Sequence, residues 1–428
     1  MLPEYVHVST KIELDTAMKR RLLVSATAAA AALGLTLSGC SSGGGTSGQS
    51  KDKLTWSMWI AGSADKAAWQ KVADAVKKDG GAKVGIQGAP FEDYFTKLRT
   101  QLSAGSAPCI VSIQSIRAAN YTDVMLPLDS YAKKDGVNLS EFDSTALNGM
   151  KVDGKLYALP YDTGPMLLFY NKDLFKQVGA KEPKPGWTLA DFKAAAAKFK
   201  AAGKKMFAST IADMNLESMI LGYNGGRVVK DGGTLDTSNA KFAKGLDWLS
   251  SLVKDGVATQ ASSDTSAASN DFVSKKVGMY TDGPWSLLSQ KGKVKFPIGV
   301  TTIPVGTSSG PSTFSAGSGF GVSKQCKYPD EAFKAVKTMT SQKVLQSLAE
   351  QGRAFPGRTA AQQAWYDNAH IDGVENVLKT AQKASTPLPS TKQGDQLGQL
   401  FAQYGIQAVN GQQSGAQTMK SIASQLGQ

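Results

Sequence analysis

From Lys53 onward, short apolar runs alternate with longer segments in which apolar residues recur every three or four positions. "KLTWSMWI" has the length and composition of a strand. "ADKAAWQKVADAVKKDGG" follows, placing Trp69, Val72, Ala73 and Val76 on one helical face, with glycines as the stop. "AKVGIQG" predicts a second strand. "EDYFTKLRTQLSAG" predicts a second helix, with Phe95, Leu98 and Leu102 inward and Gly105 closing it, and "PCIVSIQ" predicts a third strand. This βαβαβ order implies a mostly parallel sheet with helices on both faces.

The middle of the chain continues the alternation. In "VDGKLYALPY", an Asp153-Gly154 turn between strand-like runs signals a hairpin. "TLADFKAAAAKFKAAG" predicts a helix with Thr188 as N-cap, Asp191 at the capping-box position, Gly203 as the stop, and Phe192, Ala195, Ala196 and Phe199 buried. "NAKFAKGLDWLSSLVKDG" turns Phe242, Leu246, Leu249 and Val253 inward. "YPDEAFKAVKTMTSQKVLQSLAEQG" reads as a helix pair entered by Pro329, and the C-terminus as helical. There is no internal repeat.

The pattern changes upstream of Lys53. "MKRRLLVSATAAAAALGLTLSG" has a basic head at Lys19, Arg20 and Arg21, then an alanine-rich apolar run ending in small residues, the layout of a secretory signal peptide. Met18 is the expected start, which makes residues 1–17 an over-extension and residues 1–39 the leader. Leu37-Ser38-Gly39-Cys40 resembles a bacterial lipobox, so Cys40 is the expected lipidation site; the alternative is an ordinary signal peptide with an incidental cysteine. Residues 40–53 then form a linker whose Gly/Ser composition cannot repay the entropy of ordering. Lipid plus flexible spacer describes a tethered domain outside the cytoplasmic membrane, with the anchor as its only contact with the bilayer.

The net charge is +13. The leader contributes +1, leaving +12 on lysines scattered along the mature chain, with no block of like charge to suggest a nucleic-acid groove. Cys109 and Cys326 remain after lipidation. They could pair outside the cell, but buried free thiols are the expectation.

Catalytic chemistry has little to build on. His7 falls in the leader, leaving His370 alone, which excludes zinc sites with several His ligands and restricts any Ser-His-Asp arrangement to one residue. No G-x-S-x-G, P-loop or G-x-G-x-x-G motif is present. "SAGSGFGVS" reads as a tight turn leading into a strand. Carboxylates are plentiful enough to leave a glycosidase pair open.

The informative residues are the seven tryptophans. Trp69, Trp248 and Trp365 fall on core-facing positions. Trp59 and Trp285 stand at expected strand ends, where open α/β sheets bind ligands. There an indole can lie against the apolar face of a sugar ring while nearby polar side chains bond its hydroxyls.

"KLYALPYDTGPMLLFYNKDLFKQVG" resembles the signature of family 1 extracellular solute-binding proteins of ABC importers, centred on Leu168-Phe169-Tyr170-Asn171. It departs from that pattern at Leu167, Tyr161 and Gln177. "PGWTLADF", "KKVGMYTDGPWSLL", "GSGFGVSKQCKYPDEAFKAVKTM" and "GRAFPGRTA" resemble further segments of the family in the expected order, so the resemblance covers 54–428. In "SAGSAPCIV", Cys109 replaces the family's usual aspartate.

The resemblance implies an α/β, two-lobed, type II periplasmic-binding-protein-like fold. One lobe is expected from 54–163 and 316–352, the other from 164–315 and 353–428, joined by a hinge. It also implies a monomeric sugar receptor that closes over a mono- or oligosaccharide and delivers it to membrane permease subunits, with no catalysis, cofactor or metal. The expected ligand-binding residues are Trp285 and Trp59 as ring platforms, and Tyr161, Asp162, Gln114, Ser63, Asp282 and Arg353 as polar partners. The alternatives are a non-sugar ligand such as a phosphorylated polyol, and a lipid-anchored glycoside hydrolase.

Overall fold

The computed structural model describes residues 49–60, 62–211, 214–264, 266–306 and 309–428. The leader, Cys40 and the linker up to residue 48 lie outside the described residues.

The strand Lys53–Trp59 is buried from Leu54 to Met58 except at Thr55, as expected of a strand covered on both faces. It pairs in parallel with Lys83–Ala89 on one side and Ile110–Gln114 on the other. The sheet continues through Ser318–Val322 and Leu159–Pro160, both added antiparallel. Leu159–Pro160 thus runs in the same direction as the first three strands, so the sheet is mostly parallel, as the βαβαβ order predicts, and among its described strands Ser318–Val322 runs against the rest. The register supplies the reason: Ser318 pairs with Gln114, so the chain re-enters this sheet at the carboxyl end of Ile110–Gln114 and must run back against it.

A second sheet has the order Ile298–Thr302, Leu167–Asn171, Val277–Asp282, Lys205–Ala208. Leu167–Asn171 is buried at every position and antiparallel to both neighbours. Its side chains divide with the period of two that a strand imposes. Leu168 and Tyr170 enter a core with Phe175, Phe192 and Phe199, while Leu167 and Phe169 enter another with Phe355, Trp365 and Tyr280. The first lobe has its own core around Trp56, Trp69 and Phe320. A small sheet of Ser385–Pro387, Thr313–Ala316 and Gly164–Pro165 lies where the chain passes between lobes.

The punctuation read from the sequence takes the expected form. Thr188 and Asp191 make a complete capping box at the start of Leu189–Ala201. Asp153 and Gly154 adopt positive φ in the hairpin. Pro284 and Pro329 open the helices Pro284–Lys293 and Pro329–Met339. Val253 is only half-buried where the stripe placed it inward.

The expectation of free thiols is overturned: Cys109 and Cys326 form a disulfide. They are 217 residues apart in sequence. Val322 pairs with Ile110, so the residue before one strand lies beside the turn that follows the other.

Candidate functional site

The carboxyl ends of Lys53–Trp59, Ile110–Gln114 and Val277–Asp282 converge with the crossing segment Ala316–Ser318 around a cavity of about 380 Å³. Seven of the eight expected ligand-binding side chains line it: Trp285, Trp59, Tyr161, Asp162, Gln114, Asp282 and Arg353. Ser63 does not. It is the exposed first residue of the helix Ser63–Lys78. Asp65, two positions on, is 5% exposed, lines the cavity and forms an ion pair with Arg353.

Trp285 is set by its local chain. Gly283 has no side chain, and a Cβ there would lie 2.1 Å from the Trp285 ring. The glycine therefore lets the indole fold back over the backbone at the strand-to-helix turn. Pro284 begins the helix with the fixed φ that suits its first turn. The ring is left half-buried against the second lobe's core with part of its surface in the cavity. Asp282 accepts from the Gly283 N–H at 2.7 Å and the Tyr280 hydroxyl at 3.3 Å, and the nearby polar side chains of Ser286 and Trp285 also favour its ionised form. Burial raises its pKa above the ordinary carboxylate value, against those bonds.

On the first lobe, Trp59 meets Phe91 and Tyr94 edge to face at 5.8 and 5.1 Å. Tyr161 stacks on Phe320 at 4.7 Å and meets Trp69 at 5.2 Å, and burial raises the pKa of its hydroxyl. Trp69 is 2% exposed, as its core position predicts, yet it lines the cavity, and its indole N–H is buried without a partner among the described residues. Trp248 and Trp365 are core residues. Asp162 is 7% exposed and accepts from the Ser318 N–H at 2.5 Å. Burial pushes its pKa up to about 7. Gln114 accepts from Arg117. Among the described residues, Arg353 is the one cation lining the cavity, against the carboxyl groups of Asp65, Asp162 and Asp282.

Sequence reasoning missed Asp65, Phe91, Thr210, Ser269, Tyr280 and Ser318 among the lining residues. Asp65 and Phe91 carried only helix-start signals. Tyr280 could have been found as the neighbour of Asp282 on an expected strand. Thr210, Ser269 and Ser318 had no distinguishing signal. His370 is exposed at a helix end and takes no part in the cavity. Among the described residues, no group of three or more His, Cys, Asp or Glu could hold a metal ion, and no helix is long and apolar enough to cross a membrane.

Two α/β lobes with a tryptophan-walled, hydrogen-bonding cavity between them define a solute-binding protein of the type II periplasmic-binding class. The chain belongs to the bacterial extracellular solute-binding protein family, whose model matches residues 71–373. It is 27% identical to a binding protein of Brucella abortus (strain 2308) over 60% of this chain and 64% of that one, so the chain spans less than two thirds of that relative's length. It is 26% identical to the diacetylchitobiose-binding protein DasA of Streptomyces coelicolor, over 80% of this chain and 82% of that one. The fold is similar to that of the substrate-binding protein Lmo0181 of Listeria monocytogenes in complex with cycloalternan. That likeness has a TM-score of 0.77 at 22% identity, over 88% of this chain and 100% of the other.

Proposed function

We propose that the protein captures a saccharide between its two lobes and delivers it to the permease of an ABC importer. The carrying observation is the cavity itself. A half-buried indole faces a wall of carboxyl and hydroxyl groups at the carboxyl ends of the strands, the pairing that an apolar ring face and its hydroxyl rim require. Among the described residues, three carboxyl groups against one guanidinium favour a neutral, hydroxyl-rich solute over a phosphorylated one. Trp285 and Trp59 stack on sugar rings, and Tyr161, Asp162, Gln114, Asp282 and Arg353 bond hydroxyls. The lobes divide at 54–163 with 316–352 and at 164–315 with 353–428. They close by a hinge motion, and the monomer binds without turnover.

The test is a thermal-shift panel of mono- and oligosaccharides on the purified protein, followed by titration. A saccharide at ~100 times its Kd adds about 2.7 kcal/mol to stability. Binding in one-to-one ratio with no new reducing ends supports the receptor reading. Release of reducing ends establishes a hydrolase, and a panel with no shift at all overturns the sugar reading.

Cys40 is proposed as the lipidated N-terminus that keeps the protein on the outer face of the cell membrane. Cys40→Ser is expected to appear in the medium or to remain unprocessed. A variant that still fractionates with membranes at the mature mass overturns the anchor.

A further inference from the structure

Phe91 and Thr210 stand at the edge of the cavity. Both residues also wall a second chamber of about 320 Å³, between the helix Phe91–Ser103 and the second-lobe segments around Ser262 and Ala402. Three aromatic rings lead from one chamber to the other. Trp59 meets Phe91 at 5.8 Å, and Phe91 meets Phe95 at 5.9 Å, both edge to face. Phe95 lines the second chamber and carries the Arg117 guanidinium 4.4 Å from its ring centroid. At the shared wall the Thr210 hydroxyl is buried without a hydrogen-bond partner among the described residues, which leaves it free to bond a molecule in either chamber. Farther in, Ser262, Ser263 and Gln399 offer exposed polar side chains. The half-buried rings of Trp59 and Phe91, with hydrogen-bonding groups beside and beyond them, suit a chain of pyranose units, each with an apolar face and a hydroxyl rim.

We propose that the solute is an oligosaccharide whose first units lie at Trp285 and whose later units pass Phe91 and Thr210 into the second chamber. This rests on the saccharide reading above and specifies the length of its ligand. A disaccharide fills the first chamber alone; a tetrasaccharide reaches Phe95 and Arg117.

The experiment is calorimetric titration of the full-length mature protein with malto-oligosaccharides and chito-oligosaccharides, from the disaccharide to the hexasaccharide. Ala402→Trp is titrated in parallel. Ala402 is exposed and lines the second chamber, so a large side chain there takes up chamber space without entering the core. In one of the two series, the tetrasaccharide is expected to bind at least roughly ten-fold tighter than the disaccharide. Ala402→Trp is expected to abolish that gain while changing disaccharide affinity less than roughly two-fold. Equal affinity at all lengths overturns the proposal and leaves the sugar receptor standing, as does a length gain that survives Ala402→Trp. Failure of both series at every length overturns this inference, while the broader panel above decides separately whether any sugar binds.

Discussion

Trp285 touches both the second lobe's core and the cavity, and the two surfaces make different demands on a truncation. A tryptophan that only filled the core would cost ~3–5 kcal/mol of stability on replacement by alanine. One that stacks on a ligand costs binding instead. Trp285→Ala is expected to weaken saccharide binding by roughly 2–4 kcal/mol, in the range of aromatic hot spots, and to lower ligand-free stability by less than the core figure. Urea unfolding without ligand and titration with it separate the two. Unchanged affinity with a large stability loss would return Trp285 to the core. Asp162 gives a second expectation at this scale. Its folded pKa, raised by burial to about 7, exceeds that of an unfolded aspartate, so between about pH 4 and about pH 7 the folded state holds a proton the unfolded state has lost. Its contribution to stability is therefore present at low pH and lost as pH rises through that window, with no further change above it. Ligand-free stability of the wild type is expected to fall relative to Asp162→Asn across the window; parallel profiles would show that the carboxyl group titrates normally. A sugar hydroxyl donating to the carboxylate favours the ionised form, so saccharide affinity is expected to rise toward pH 7.

At the scale of elements, the helices were the most legible part of the chain. Thr188 and Asp191 announce a capping box, and Phe192, Ala195, Ala196 and Phe199 announce the buried face, because both signals act within a few turns. Trp285 was legible for the same reason: Gly283, Pro284 and the indole form one local device. What failed depends on partners distant in sequence. The antiparallel return of Ser318–Val322 follows from a crossing between lobes, and no periodicity within its five residues records direction. Ser63 and Asp65 lie within one helical turn, and only the packing of that helix beside Arg353 decides which faces the cavity. The disulfide was hidden in the same way, since the pairing of Val322 with Ile110 is what brings its cysteines together. The bond ties the re-entering strand to the parallel core of the first sheet and closes a loop of 217 residues. Replacing both cysteines by serine is expected to cost about 2–5 kcal/mol of stability, seen as a lower midpoint in urea under oxidising conditions. Identical midpoints for variant and wild type would show that the pairing contributes nothing to stability.

For the whole molecule, the lobes are separate cores joined by thin crossings, so contacts made across the cleft bias how they sit. Arg99 belongs to a helix seated on the first lobe's core, and Asp395 to one seated on the second's. Arg99 donates to Asp395 at 3.0 and 2.7 Å, and Arg117 approaches the same carboxylate at 3.3 Å. Arg117 also bonds Gln114 in the cavity wall, which links this cross-lobe contact to the site. The Arg99 and Asp395 side chains are 47% and 25% exposed, so water and salt screen the pair and its worth is about 0–1 kcal/mol. Burial lowers the Arg99 pKa while the Asp395 carboxylate raises it, and the net shift is upward, consistent with an attraction that outweighs desolvation. Asp395→Asn keeps the side-chain shape and removes the charge. If the contact favours the closed arrangement, the variant should bind a disaccharide more weakly by up to about 1 kcal/mol at low ionic strength. That gap should close in high salt, where the Debye length shrinks to about 3 Å at 1 M. Small-angle scattering of the ligand-free variant should then give a larger radius of gyration than the wild type. A disaccharide loss above about 3 kcal/mol that salt does not relieve would instead place Asp395 in direct contact with the sugar, since desolvated charged hydrogen bonds carry costs of that size.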